Sequence, residues 1–68
     1  MAIVKVIEVI ASSTVGIEDA VQQAVTEVSK TVHNIDSVFI KDTKVHVNEG
    51  KIVSWGVICK VSFRVGDK

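Results

Sequence analysis

Between residues 52 and 65 the chain alternates apolar and polar side chains with almost no interruption. Val53, Trp55, Val57, Cys59, Val61, Phe63 and Val65 fall on one face, and Ser54, Gly56, Lys60, Ser62 and Arg64 on the other, with Ile52 and Ile58 as apolar exceptions. Successive side chains of a strand point to opposite sides, so the pattern predicts a long strand with one dry face. Residues 2–11 predict an earlier strand. Ile3, Ile7, Val9 and Ala11 share one of its faces with Lys5, and Val4, Val6 and Ile10 share the other with Glu8. Because both faces are largely apolar, this strand is expected to be covered on both sides.

The period changes in the middle of the chain. Over residues 17–33, Ile17, Ala20, Val21, Ala24, Val25, Val28 and Val32 recur at three- and four-residue spacing, which predicts one amphipathic helix. Glu18 and Asp19 suit its first turn, and Lys30 and His33 its last, by the sign of the helix dipole. Gly16 is the expected N-cap, without a side-chain oxygen to offer. The valines on the stripe lower intrinsic helix propensity, so packing must hold the helix. Ser12-Ser13-Thr14 reads as a loop before the helix, and residues 34–37 as the loop after it. Residues 38–47 predict a strand whose weaker alternation allows a bulge. Asn48-Glu49-Gly50 predicts a hairpin turn with Gly50 in the left-handed region. The order is β-α-β-β. The expected fold class is α+β: a three-stranded antiparallel sheet wrapped around one helix, in a single domain over residues 1–68.

Size changes what this pattern implies. A chain of 68 residues buries only about 60% of its unfolded surface and is marginal alone. Small domains are usually stapled by disulfides, a metal or partner chains. Cys59 is the sole cysteine, and no His, Cys and carboxylate cluster has zinc spacing. With 47% hydrophobic residues and a mean hydropathy of +0.38, self-assembly is the expected source of the missing stability, and the outer face of the sheet its expected surface. Eight basic and eight acidic residues cancel, and no basic run argues for nucleic acid. The first residues are too short and too charged for a signal peptide or a membrane span, so a cytoplasmic setting is expected.

The ordered set of short motifs resembles the dodecin family. It comprises Lys5-Val6-Ile7-Glu8, Ser12-Ser13, Glu18-Asp19-Ala20, Ser29-Lys30-Thr31-Val32, Asn34-Ile35, His46, Glu49-Gly50-Lys51 and Lys60-Val61-Ser62-Phe63-Arg64. It spans residues 4–65 without a gap. The resemblance implies a non-enzymatic protein that assembles as a hollow homododecamer and binds flavins (FMN or riboflavin), which it stores or quenches. Such a ring needs an aromatic face to stack on and a side-chain amide for its pyrimidine edge. In the family the aromatic is a tryptophan three residues after the exit asparagine, where this chain has Ser37. The amide is a glutamine six residues after the turn glycine, where this chain has Gly56. Lys44 stands where the family often has an arginine near the ligand, and Arg64 keeps the terminal arginine. The resemblance therefore implies a flavin site at Ser37, Lys44, Gly56 and Arg64 in which binding is weak or lost.

Other residues offer alternatives. Trp55 is the sole tryptophan. Its parity puts it on the apolar face as a core or interface residue, and a bulge in the hairpin would turn it into a substitute stacker. His33 and His46 read as surface histidines. In a symmetric assembly, copies of His46 or of the acidic turn residues, Glu49 among them, offer a site for a divalent ion of the calcium or magnesium type. Lys41, Lys44, Lys51 and Arg64 offer a phosphate-bearing ligand a positive surface, or else form a solvated face. No nucleophile is paired with a base in the sequence, so an enzyme is not expected.

Overall fold

The computed structural model describes residues 3–66. Strand β1 (Ile3–Ser13) is followed by helix α1 (Ile17–Val28), strand β2 (Ile35–Asn48) and strand β3 (Lys51–Val65). The sheet order is β1-β3-β2, and both pairings are antiparallel. The strand with the cleanest alternation is thus the central one. Its dry face lies under the helix: Val57, Cys59 and Val61 are buried against Ala20. Ile7, Val9 and Ala11 from β1, and Ile17, Val21 and Val28 from α1, close around them. Alanines on the inner side of the helix let the helix backbone approach the sheet closely. Burial pushes the Cys59 thiol up, which keeps it a protonated, unreactive core residue.

The helix start departs from the sequence pattern. Ser13, expected in a loop, is the last residue of β1 and is buried. Gly16 is the N-cap, in extended conformation and without a side-chain bond. Ser13 instead ties the segment before the helix to the side chain of its first turn. Its Oγ accepts the Val15 N–H at 2.9 Å and the Gly16 N–H at 3.4 Å, and donates to Asp19 Oδ2 at 2.6 Å. Gln23 Nε2 donates to the same oxygen at 2.6 Å. The Ser13 bond, and after it the Gln23 bond, hold the Asp19 carboxyl below the usual value. Ser13→Ala is therefore expected to lower stability at neutral pH by about 1 kcal/mol, the usual net worth of a hydrogen bond. Because the native Asp19 is the stronger acid, its share is present above the unfolded-state value and lost as pH falls through the native one. Thermal unfolding should show the gap between wild type and variant narrowing as pH falls below the usual aspartate value, while the part due to the Val15 and Gly16 amides persists; a gap that stays constant down to acid would contradict the Ser13–Asp19 bond.

The helix also ends earlier than its periodicity predicts, at Val28 rather than residue 33. Ser29 Oγ donates to the Thr26 carbonyl at 2.8 Å, a local bond that competes with the helical ladder. The amides of Lys30 and Thr31 then bond three residues back, to Glu27 and Val28, which tightens the last turn. Asn34 adopts a positive φ of 65° and reverses the chain. Lys30 and His33 therefore lie beyond the helix, and its last turn contains no basic residue. Lys30 instead pairs with Glu27 at 3.1 Å.

β2 begins at Ile35, three residues before the alternation suggests, and its register with β3 shifts between Ile35 and Ser37, Ile40 and Asp42, and His46 and Val47. The irregular alternation of this strand is the imprint of those bulges. The hairpin closes through Glu49 and Gly50, both at positive φ, 52° and 77°. That two-residue geometry matches the twist of the flanking strands. Gly50 sits in the left-handed region as its position predicts.

The chain on its own is open. Its principal extents are 51 × 20 × 13 Å, and its radius of gyration is 14.0 Å, against about 11 Å for a compact chain of this length. It exposes 4975 Å², where a compact 7.4 kDa protein exposes about 4,200 Å². The excess arises because β1 pairs β3 only between Ile3 and Ser13, whose partners are Val65 and Trp55. Beyond Trp55 the β2–β3 hairpin runs on as two strands. β1 itself is covered by the helix on one face only; Val4, Val6 and Ile10 remain exposed on the other, where the pattern predicts cover.

Candidate functional site

The face of the sheet away from the helix is laid out in rows across β1, β3 and β2. Val6, Ser62 and Ser37 form one row, and Glu8, Lys60 and Phe39 the next. Ile10, Ile58 and Asp42 follow, then Ser12, Gly56 and Lys44, and last Ser54 with His46. The bulge at Ile40–Asp42 sets which residues of β2 appear. Before it the odd positions Ser37 and Phe39 face outward; after it the even positions Asp42, Lys44 and His46 do. A one-residue shift exchanges the two faces of a strand. Lys41, in the bulge, reaches across β3 to Glu8 Oε2 at 3.5 Å.

Gly56 is buried and forms the floor of a depression of about 80 Å³, walled by Ile10, Ile58, Asp42, Thr43 and Lys44. Lys44 and His46 lean over the glycine. A Cβ placed on Gly56 would stand 3.4 Å from Lys44 Cγ, 3.6 Å from its Cε and 3.8 Å from His46 Nε2. The positions expected for a ligand thus fall into separate groups. Gly56, Lys44 and His46 come together. Ser37 is in the row of Ser62, six residues along β3 from Gly56, about 20 Å at strand rise. Arg64 is two residues further still, with its backbone N–H bonded to the Asn34 carbonyl at 3.1 Å. One chain does not bring Ser37, Arg64 and Gly56 into one pocket.

Trp55 faces the helix side of the sheet, in the row of Ser13 and Val45. It lines a surface hollow with Ile17, Thr43, Lys44 and Val45. It therefore points away from the face that holds Gly56. Glu49 is at the hairpin tip, and no group of three His, Cys, Asp or Glu side chains is placed to hold a metal ion among the described residues. No described helix is long and apolar enough to cross a membrane.

Phe39 is the residue that the sequence pattern does not single out. It is 65% exposed, on the outer face, two residues after Ser37. It offers that face a flat aromatic surface. Its orientation depends on the bulge register, which alternation alone does not locate.

Comparison with known proteins bears on these positions. The dodecin family model matches residues 3–66. Among solved structures, the dodecin from Streptomyces coelicolor is 28% identical with a TM-score of 0.89, the alignment covering 98% of this chain and 96% of that one. The dodecin from Streptomyces davaonensis is 27% identical, with a TM-score of 0.88 and 97% of each chain covered. An arginine-to-alanine mutant of the Thermus thermophilus dodecin is 25% identical, with a TM-score of 0.91 and coverage of 98% and 100%. A search of curated proteins gives no match.

Proposed function

The chain belongs to the dodecin family, and from that premise we propose that it is a non-enzymatic binding and storage protein that works as a homododecamer and holds FMN or riboflavin weakly or not at all. The observation that carries this reading is the outer face itself. At the two positions where the family resemblance puts a stacking tryptophan and a pyrimidine-gripping glutamine, this face offers Ser37 and Gly56. A hydroxyl and a hydrogen supply neither a π surface nor an amide. Phe39 supplies the remaining aromatic surface on that side. Titrating the protein with FMN and following flavin fluorescence tests the reading. Shallow quenching, abolished by Phe39→Ala, is the expected result; tight, stoichiometric quenching would overturn it.

A second reading replaces flavin by another small ligand. Lys44 and His46 favour a phosphate-bearing molecule, because they gather around Gly56 without any ion pair or hydrogen bond among the described residues. A divalent ion held where copies of His46 or Glu49 meet is the other form of this reading, and elemental analysis of the protein as purified tests it. Neither form calls for nucleic acid or a membrane, and both suit a cytoplasmic protein.

A further inference from the structure

The two edges of the sheet differ. β2 is interrupted by three register shifts, and bulges of that kind turn an edge away from further pairing. β1 keeps an unbroken register with β3 from Ile3 to Ser13. It holds no proline and carries one charge toward each face, Lys5 and Glu8. Its far side is unpaired among the described strands, and such a row of backbone N–H and C=O groups is a template for another strand. Beside that edge, β1 and α1 leave a groove of about 400 Å³ lined by Val9, Ala11, Ala24 and Val28, with Gln23 and Glu27. We propose that the edge of β1 and this groove are a docking surface for a second copy of the chain, whose own β1 adds antiparallel to it about a two-fold axis at Val9, so that the Lys5 of each copy meets the Asp19 of the other. The proposal rests on the self-assembly proposed above and names one of its interfaces.

Three observations select this occupant and this register. A two-fold axis normal to the sheet keeps each face with itself, so opposed residues share parity and the axis falls on a residue. An axis on Lys5 or on Glu8 sets like charges directly opposite, which is unfavourable. An axis on Val9 puts the partner's Lys5 opposite Ser13, with Cβ atoms about 5 Å apart. Ser13 Oγ donates to Asp19 Oδ2 at 2.6 Å, so a lysine stem at that place reaches the Asp19 carboxylate. Lys5 and Asp19 belong to no ion pair among the described residues, and two-fold symmetry satisfies both twice. Glu27, the other carboxylate on the groove, is already paired with Lys30 at 3.1 Å. The helices also fit. α1 lies over β1 and β3, so one more strand spacing of about 4.8 Å sets α1 of the two copies about 10 Å apart, a distance at which helices pack. The groove is then filled by the helix of the other copy.

The test is disulfide trapping. Val9→Cys is expected to link two chains under mild oxidation, because the axis sets that residue opposite itself with Cα atoms about 5 Å apart, within disulfide reach. Ile7→Cys alone is expected not to link, since its copies stand about 14 Å apart along the strands; the double variant Ile7→Cys, Ala11→Cys is expected to link. Wild type is the control, its Cys59 being buried. Lys5→Glu is expected to cut the yield of linked Val9→Cys chains about tenfold, as loss of a charged contact and gain of a repulsive one imply. Lys5 is exposed and makes no side-chain bond in its own subunit. Should Val9→Cys fail to fold, a fall in the mass of Lys5→Glu by light scattering carries the test instead. Linking by Ile7→Cys in place of Val9→Cys, or Lys5→Glu that changes neither yield nor mass, would overturn the proposal. If the mass is twelve chains and Val9→Cys does not link, the β1 seam alone falls; if Val9→Cys links and the mass stays at two chains, the seam stands and the dodecamer falls.

Discussion

Replacing Ile52 with aspartate is expected to break the proposed assembly into species of one or a few chains, where the wild type is expected to scatter light as about twelve. The reason lies in the hairpin. Past Trp55, β2 and β3 have neither β1 beside them nor the helix beneath them. A two-stranded hairpin alone is marginal in water. Its tip nonetheless presents large apolar side chains, among them Val47 at 60% exposure and Ile52 at 54%. Burying such a side chain against another copy stabilises by about 1.5–3 kcal/mol. A carboxylate at the same place removes that gain and adds the cost of burying an unpaired charge. In a closed symmetric shell the change recurs in every subunit, so the effect on assembly is far larger than on one chain. Ile52 lies outside the core cluster, so the fold of the subunit should persist and circular dichroism should change little. An Ile52→Asp variant that still scatters as twelve chains would remove the hairpin from the interface. A wild type that is monomeric and stable would remove the dodecamer.

The double variant Ser37→Trp, Gly56→Gln is expected to bind FMN about a hundredfold more tightly than the wild type, a change of about 2.7 kcal/mol. The indole contributes stacking of about 0.5–1.5 kcal/mol beyond the area it buries, and the amide contributes hydrogen bonds of about 0.5–1.5 kcal/mol each. Both sites can accept the new side chains. Ser37 is exposed, and the first atom added at Gly56 meets the flexible Lys44 stem at 3.4 Å rather than backbone. Lys44 must swing aside, so Gly56→Gln alone is expected to gain little; the two substitutions together are expected to gain more than their sum only where neighbouring subunits of the proposed assembly bring the two positions, about 20 Å apart in one chain, to one flavin. Fluorescence titration of the four proteins, wild type, singles and double, measures this. A double variant no tighter than the wild type would show that these two positions do not explain weak flavin binding.

How legible the molecule is in its sequence varies from element to element. β3 is plain because its two faces differ in chemistry at nearly every step, and a buried face tolerates no slip in register. The hairpin turn is plain because two consecutive left-handed residues suit glycine and few others. The helix end is not, since Val32 continues the apolar period while Ser29 and Asn34 end the helix through hydrogen bonding and a backbone reversal that periodicity does not register. Ser13 reads as a loop residue by composition; only its neighbours Val15, Gly16 and Asp19, folded around it, make it the tie between β1 and the helix start. In the candidate site, Lys44, Gly56 and His46 are visible as residues, but their convergence needs the register of β2 on β3. Phe39 escapes notice for the same reason.

The sequence by itself determined the β-α-β-β order, the apolar face of β3 and the helical stripe that covers it, because period 2 and period 3.6 are local properties of a chain with one side wet and one side dry. It also determined that Ser37 and Gly56 bring no ring and no amide, since side-chain chemistry does not depend on the fold. Tertiary structure alone decided which side chains share the outer face. Three register shifts in β2 choose them, and a shift costs the chain little locally while it exchanges every side chain beyond it. That choice sets Lys44 and His46 over Gly56, leaves Trp55 on the opposite face and extends an apolar hairpin past the helix that covers the rest of β3.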